Sequence, residues 1–181
     1  MLRTFLVLAL VLVGLPSEGA SRASRARVSA NGIHTVLLHE EVPGRCRLEV
    51  STESGAGWKL EECVGGVNDL YFVSNDGERV WVLKPLVEKG SRKLPGKQFR
   101  KVPAWANTVV AELYDRKAGR VEQKHLLDFV KPAELSEVRQ MSKHLKWLEG
   151  LLGVPGKGPR LSDTGRIEFE VVGGKHHQLT F

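Results

Sequence analysis

The segment "NDLYFVSNDGERVWVLK" (68–84) constrains the fold most, because its apolar residues occupy both faces of a predicted β-hairpin. An Asp-Gly dipeptide at 76–77 between two runs of β-forming residues is a strong signal for a tight turn. Because both faces of this hairpin are apolar, it must be covered on both sides, which places it at the centre of the core. The predicted cross-strand pairs are Leu70–Leu83, Tyr71–Val82, Phe72–Trp81 and Val73–Val80.

Two more hairpins are predicted in the second half of the chain. The first turns at 115–119, where Gly119 suits the left-handed position that follows a type I turn. The second is "GRIEFEVVGGKHHQLTF", at the end of the chain. A three-residue loop, Gly173–Lys175, aligns Phe169 with Leu179 and keeps the apolar residues on one face.

One helix is predicted between these two hairpins, over 132–152. Pro132 suits the first helical position, and apolar residues recur every three or four positions. These apolar residues are Leu135, Val138, Met141, Leu145, Leu148 and Leu152. The predicted fold class is therefore α+β: a mostly antiparallel β-sheet of three or more hairpins, covered by one amphipathic helix near 132–152. A helix lying on a membrane surface is the alternative.

The only two cysteines, Cys46 and Cys63, lie on either side of a predicted turn in "CRLEVSTESGAGWKLEEC". They face each other in the register that pairs Val50 with Lys59, and opposed strand residues lie within disulfide range. We therefore expect a structural disulfide, with two buried free thiols as the alternative. A zinc site is not predicted, because no further cysteine or histidine stands at zinc-ligand spacing.

The N-terminus has the pattern of a secretory signal peptide. A basic residue, Arg3, precedes eleven apolar or small residues from Phe5 to Leu15, too few to cross a bilayer as a helix. Small residues favour cleavage after Gly19 or Ala23, and an uncleaved anchor is the alternative. The predicted organisation is a signal peptide over 1–23, a disordered basic leader over 24–32 and a single β-rich domain over 33–181.

Export limits the partners that this chain can meet. The protein is expected to be periplasmic or extracellular, so cytosolic nucleic acid is excluded, and no later apolar run predicts a transmembrane segment in the mature chain. The chain has 27 Lys and Arg against 21 Asp and Glu. This basic balance suits an acidic polysaccharide, a lipid headgroup or an acidic protein, or serves solubility alone.

The most distinctive polar feature is "KPLVEKGSRKLPGKQFRK", from Lys84 to Lys101, with seven basic residues and one acidic residue. It is predicted to be a long loop between hairpins, and loops of this length in compact domains are often functional. A solvated loop without a binding role is the alternative. The candidate contacts to an anionic partner are Lys89, Arg92, Lys93, Lys97, Arg100 and Lys101.

No segment carries a catalytic motif. The stretch "HEEVP" has Pro43 where a zinc-protease motif needs its second histidine. His34 and His39, five residues apart, point to opposite faces of a predicted strand. We therefore predict no catalytic residue, no metal site and no cofactor.

Three functions fit these observations. The first is an exported, non-enzymatic binding or envelope-associated protein that contacts an anionic partner through the basic loop 84–101. The second is a secreted hydrolase whose His, Asp or Glu site is assembled by folding. The third is a structural or assembly subunit.

Overall fold

Antiparallel β-strands dominate the computed structural model, which describes residues 21–55, 57–88, 102–150 and 158–181. The strands are β1 (Arg22–Ala23), β2 (Arg27–Val28), β3 (His34–Val42), β4 (Arg45–Thr52), β5 (Trp58–Leu60), β6 (Leu70–Val73), β7 (Arg79–Leu83), β8 (Leu86–Glu88), β9 (Val109–Asp115), β10 (Gly119–His125), β11 (Arg139–Gln140), β12 (His144–Lys146), β13 (Arg160–Leu161), β14 (Ile167–Val171) and β15 (Lys175–Leu179). The helices are α1 (Leu126–Phe129) and two 3₁₀ helices, Ala104–Asn107 and Pro132–Glu137. Within these described ranges, no helix combines the length and apolarity needed to span a membrane.

The strands form four sheets. The first has the order β1-β3-β4-β5, with β2 also paired to β3, and the second has the order β10-β9-β7-β6. The third is β11-β12-β8 and the fourth is β13-β14-β15. The predicted mostly antiparallel, β-rich architecture is therefore confirmed.

The β6–β7 hairpin lies in the second sheet and is buried on both faces, as predicted. Phe72 pairs with Trp81 and Tyr71 with Val82, so the predicted register is confirmed. The Phe72 face joins one hydrophobic cluster, which also contains Trp147 and apolar residues of the fourth sheet. The Tyr71 face joins a second cluster, formed with apolar residues of β3, β4 and β5. The second sheet is therefore the layer that separates two cores.

The first core contains a compact group of aromatic rings. The Phe129 ring stacks on Trp147 with 5.4 Å between ring centroids and meets Phe169 edge-on at 5.3 Å. Trp147 is fully buried, and its indole N–H donates to the Lys84 carbonyl at 2.7 Å. This hydrogen bond satisfies the polar atom of a buried tryptophan and fixes the chain just before β8.

The predicted helix over 132–152 is wrong. Among residues 132–150, which the structure describes, only Pro132–Glu137 is helical, as a 3₁₀ turn, and the chain then forms β11 and β12. Residues 151–157 lie outside the described ranges. In β12, Leu145 pairs with Val87 of β8, and Trp147 is buried on the same side as Leu145, with a period of two rather than 3.6. A helix would have turned Trp147 away from the apolar stripe, so burial of this large side chain favours the strand.

The disulfide between Cys46 and Cys63 is confirmed, with 4.7 Å between the Cα atoms. The predicted hairpin register is wrong by one residue, because Val50 pairs with Trp58 instead of Lys59. A slip of one residue turns every side chain to the opposite face. The observed register buries Trp58 in the second core and leaves Lys59 exposed, which avoids the cost of burying a charge.

The two later hairpins form where they were predicted. The β9–β10 turn places Gly119 at a φ of 69°, the predicted left-handed position. In the β14–β15 hairpin, Phe169 pairs with His177 instead of the predicted Leu179. A shift of two residues preserves the face, so Phe169 and Leu179 are both buried as expected.

Residues 24–32, expected to be a disordered leader, pack against β3. Arg27 and Val28 form β2, while Ser24 and Ser29 are buried. The Leu38 amide donates to the Ser24 hydroxyl at 2.9 Å. Small hydroxyl side chains can satisfy backbone groups of a neighbouring strand, and this local hydrogen bonding holds a segment that lacks a hydrophobic pattern against β3.

Candidate functional site

The predicted anion-binding residues Lys89, Arg92, Lys93, Lys97, Arg100 and Lys101 all lie outside the described residues. The structure describes the two flanks of this segment. One flank is β8, which ends at Glu88, and the other begins at Val102 and leads into the 3₁₀ helix Ala104–Asn107. Both flanks border the same cavity.

This cavity, called the flank cavity below, has a volume of about 490 Å³. Its walls combine apolar side chains with a few polar ones, and the size falls in the range of ligand pockets. The residues that line it are Gly65, Asp69, Lys84, Leu86, Val87, Glu88, Ala104, Trp105, Asn107, Thr108 and Val109. Trp105 also packs against the first core, so an aromatic side chain is held at the wall.

Asp69 is the least solvated acid in this cavity. The Gly66 amide donates to its Oδ2 atom at 2.9 Å, and the Tyr71 hydroxyl donates to the Gly66 carbonyl at 2.8 Å. Burial raises the pKa of the Asp69 carboxyl, and the nearby positive charge of Lys84 only partly opposes this effect. Asp69 therefore holds its proton more readily than an exposed aspartate.

Gly65 permits this close packing. A Cβ atom at Gly65 would lie 2.7 Å from the Tyr71 hydroxyl and 2.8 Å from Asp69 Oδ2. Both distances are shorter than van der Waals contact, so any larger residue at position 65 displaces the groups that orient Asp69. The glycine thus serves a close approach of the backbone rather than a turn.

Lys84, another residue of the cavity wall, is held by an ion pair. Its Nζ atom lies 2.5 Å from Oε2 of Glu112, a residue that is only 4% exposed. Gln123 donates to the other carboxylate oxygen at 2.8 Å and Arg120 at 3.0 Å. Burial alone would raise the pKa of Glu112, but the hydrogen bonds from Lys84, Gln123 and Arg120 outweigh burial and lower it.

The two carboxyl groups are therefore pushed in opposite directions. The pKa of Asp69 is raised at the cavity wall, whereas the pKa of Glu112, which pairs with Lys84, is lowered. Opposed shifts of this kind occur in catalytic sites and in structural ion-pair networks alike. Chemically, the cavity offers a hydrogen-bonding carboxyl, a cation and an aromatic wall.

The histidines are dispersed. Among the described residues, no group of three or more His, Cys, Asp or Glu side chains is arranged to hold a metal ion. His177 packs against the rings of Phe129 and Phe169, with centroid distances of 5.4 and 5.8 Å. Burial lowers its pKa, so His177 is part of the core wall rather than a solvent-facing ligand.

Sequence reasoning missed Asp69, Lys84 and Glu112 as a group. The glycine pair at 65–66 is a signal for close backbone approach, and it precedes Asp69 by three residues. Glu112 sits at a position of β9 where neighbouring residues are apolar, and an acid in such a run indicates a buried partner. Which cation pairs with it depends on the β7–β9 pairing, which is not visible in the sequence.

Comparison with known proteins adds no relative: no family model, no curated protein and no solved structure matches this chain.

Proposed function

We propose that this chain is an exported binding protein without enzymatic activity, which contacts an anionic partner through the basic segment 84–101. The Cys46–Cys63 disulfide supports export, since such bonds persist in oxidising compartments. The predicted signal peptide supports it independently. The partner is an acidic polysaccharide, a lipid headgroup or an acidic protein.

One observation carries the proposal: the concentration of positive charge in a segment whose two flanks border a cavity. Seven Lys and Arg residues stand against one acid between Lys84 and Lys101. The flanks contribute Lys84 and Trp105 to the cavity. Because Lys84 is paired with Glu112, the charge offered to a partner is that of the remaining basic residues, and an aromatic wall beside such a segment suits a polyanion, which gains from many weak charge contacts.

Salt-dependent retention on immobilised heparin tests the proposal, with heparin as the polyanionic probe. The test variant changes Arg92, Lys93, Lys97, Arg100 and Lys101 to Ser. The control variant changes five exposed basic residues outside the segment to Ser: Arg45, Lys59, Lys117, Lys143 and Arg166. Both variants lose the same formal charge, so they separate a local surface from net charge.

We expect the wild type and the control variant to elute past moderate salt and the test variant to elute near the void. Local charge contacts are screened over about 8–10 Å at these ionic strengths, so the position of the lost charges matters. Equal elution of the two variants would contradict the proposal, because net charge alone would then explain retention.

The flank cavity supports a second candidate, a secreted hydrolase. Asp69, with its raised pKa, lies in the same cavity as Lys84 and has the properties of a general acid. Hydrolysis of chromogenic glycosides and esters that is lost in Asp69→Asn, yet retained in the five-residue Ser variant of the segment, would favour this candidate. A structural or assembly subunit would show neither heparin retention nor hydrolysis.

A further inference from the structure

A second cavity, of about 270 Å³, lies where the N-terminal strands meet the turn that precedes β6. Its polar wall includes Arg25, Arg27 and Asn68, and its apolar wall includes Val67 and Leu70. None of these residues belongs to the basic segment. The cavity, called the arginine cavity below, is therefore separate from the surface proposed above.

Arg27 is the cation of this cavity that contacts an aromatic ring. Its guanidinium carbon lies 4.7 Å from the centroid of the Phe72 ring, which is only 2% exposed. This cation–π contact restricts the position of the guanidinium, whose N–H groups donate no hydrogen bond within the described ranges. The side chain is thereby pre-organised for planar, bidentate contact with an oxyanion.

The positive charge of Arg27 is not balanced within the described part of the chain. No ion pair joins Arg25 or Arg27 to any residue in the described ranges, and neither guanidinium donates a hydrogen bond to a residue there. Burial lowers the pKa of Arg27, and the positive charge of Arg25 lowers it further. A half-buried cation beside a like charge is costly unless an anion is present.

Asp69 also borders the arginine cavity, but its carboxyl group is committed elsewhere. Its Oδ2 atom accepts the Gly66 amide, and the charges that act on it are those of Lys84 and Glu112. Outside the described ranges the sequence contains one acidic residue, Glu18. That residue lies in the segment that the signal-peptide prediction removes.

We propose that the arginine cavity binds a single oxyanionic group: a sulfate, phosphate or carboxylate. Arg27 donates to it from its position over Phe72, while Arg25 and the Asn68 amide complete the contacts at the rim. The group is either a free ion or a substituent of a larger ligand such as a sulfated sugar. The site uses no residue of the basic segment and shares only Asp69 with the flank cavity, and Asp69 is not among the proposed contacts, so this proposal is independent of the function proposed above.

Backbone amide chemical shifts of the folded, oxidised protein test this site. Sodium sulfate and a sulfated disaccharide are titrated separately, each against sodium chloride at matched ionic strength. We expect saturable shifts confined to residues 23–28 and 67–70. We expect Arg27→Gln to weaken binding about tenfold or more, the loss that follows from one charge-assisted hydrogen bond.

Two further variants make the test decisive. Arg25→Gln changes an exposed side chain, so it weakens binding without disturbing the core even if Arg27→Gln fails to fold. Lys117→Gln removes an equal charge from the exposed β9–β10 turn and leaves binding unchanged.

Saturation by sulfate identifies a free-ion site, and saturation by the disaccharide alone identifies a substituent site. Linear shifts that match chloride for both probes would overturn the proposal. Equal weakening by Lys117→Gln and Arg25→Gln would overturn it as well, because general charge would then account for the binding.

Discussion

Removing the disulfide tests how much this bond stabilises the fold. The double variant Cys46→Ala/Cys63→Ala removes a link between residues separated by 17 positions. In the chain-entropy relation, opening a loop of this size releases about 3 kcal/mol of constraint on the unfolded chain. For a domain of this length, that loss lowers Tm by roughly 6–12 °C.

The expected loss of stability does not include a large contribution from a packing defect. Cys46 is 7% exposed and belongs to the second core, but its replacement by Ala removes only one sulfur atom there. Neither cysteine belongs to the paired residues of β4 and β5, so the hairpin keeps its cross-strand hydrogen bonds when the disulfide is removed. We therefore expect the variant to fold to the same structure at lower stability.

Urea unfolding followed by tryptophan fluorescence measures the change, since Trp58, Trp81 and Trp147 are buried. The control is the wild type reduced with dithiothreitol. If the effect lies in the unfolded chain, the reduced wild type and the variant lose the same free energy of unfolding. Both should also show a larger m-value, because the unlinked chain exposes more surface.

Two results would refute this reasoning. A loss below about 1 kcal/mol would mean that the unfolded chain is already constrained without the bond. A loss in the variant that is absent from the reduced wild type would assign the effect to packing around Cys46 instead of chain entropy.

Three further predictions concern the buried charges and the N-terminus. In urea unfolding at pH 7, Glu112→Gln should lower the free energy of unfolding by about 2 kcal/mol, because Lys84 loses its carboxylate partner. Folding lowers the pKa of Glu112, so the difference between variant and wild type should shrink as pH falls below about 4. The pKa of His177 is lowered in the folded protein, so its contribution to stability is complete above about pH 6.5 and is lost as pH falls. In urea unfolding between pH 7 and 5, the free energy of unfolding of His177→Phe should therefore depend less on pH than that of the wild type. N-terminal sequencing of exported protein should find cleavage after Gly19, because cleavage after Ala23 would remove β1, which pairs with β3.

The β6–β7 hairpin shows which features of the fold can be predicted from the sequence. Its turn is set by local chemistry at 76–77, and its pairs follow from that turn by counting. The apolar residues on both faces required two layers of cover, and the structure has a core on each side. Local turn chemistry and strand alternation are short-range properties, so they can be predicted without knowing the fold.

Residues 132–152 show where the sequence misleads. The spacing of Leu135, Leu145 and Leu148 fits an apolar helical stripe, and the helix propensities of the residues in this segment do not argue against a helix. The strand conformation is instead favoured by the pairing of β12 with β8 and by the burial of Trp147. Both depend on chain segments about 60 residues away, which no local pattern encodes.

The candidate sites divide in the same way. By itself the sequence determined the cysteine pairing, the turn positions, the two-sided hairpin and the concentration of charge in 84–101. Tertiary structure alone decided that Asp69 and Lys84 line one cavity. It alone also decided that Arg27 lies over the Phe72 ring and forms no ion pair with a carboxylate of the described ranges. Burial and charge balance belong to surfaces brought together from distant segments, and only the packed fold specifies which groups are left without water or a counter-charge.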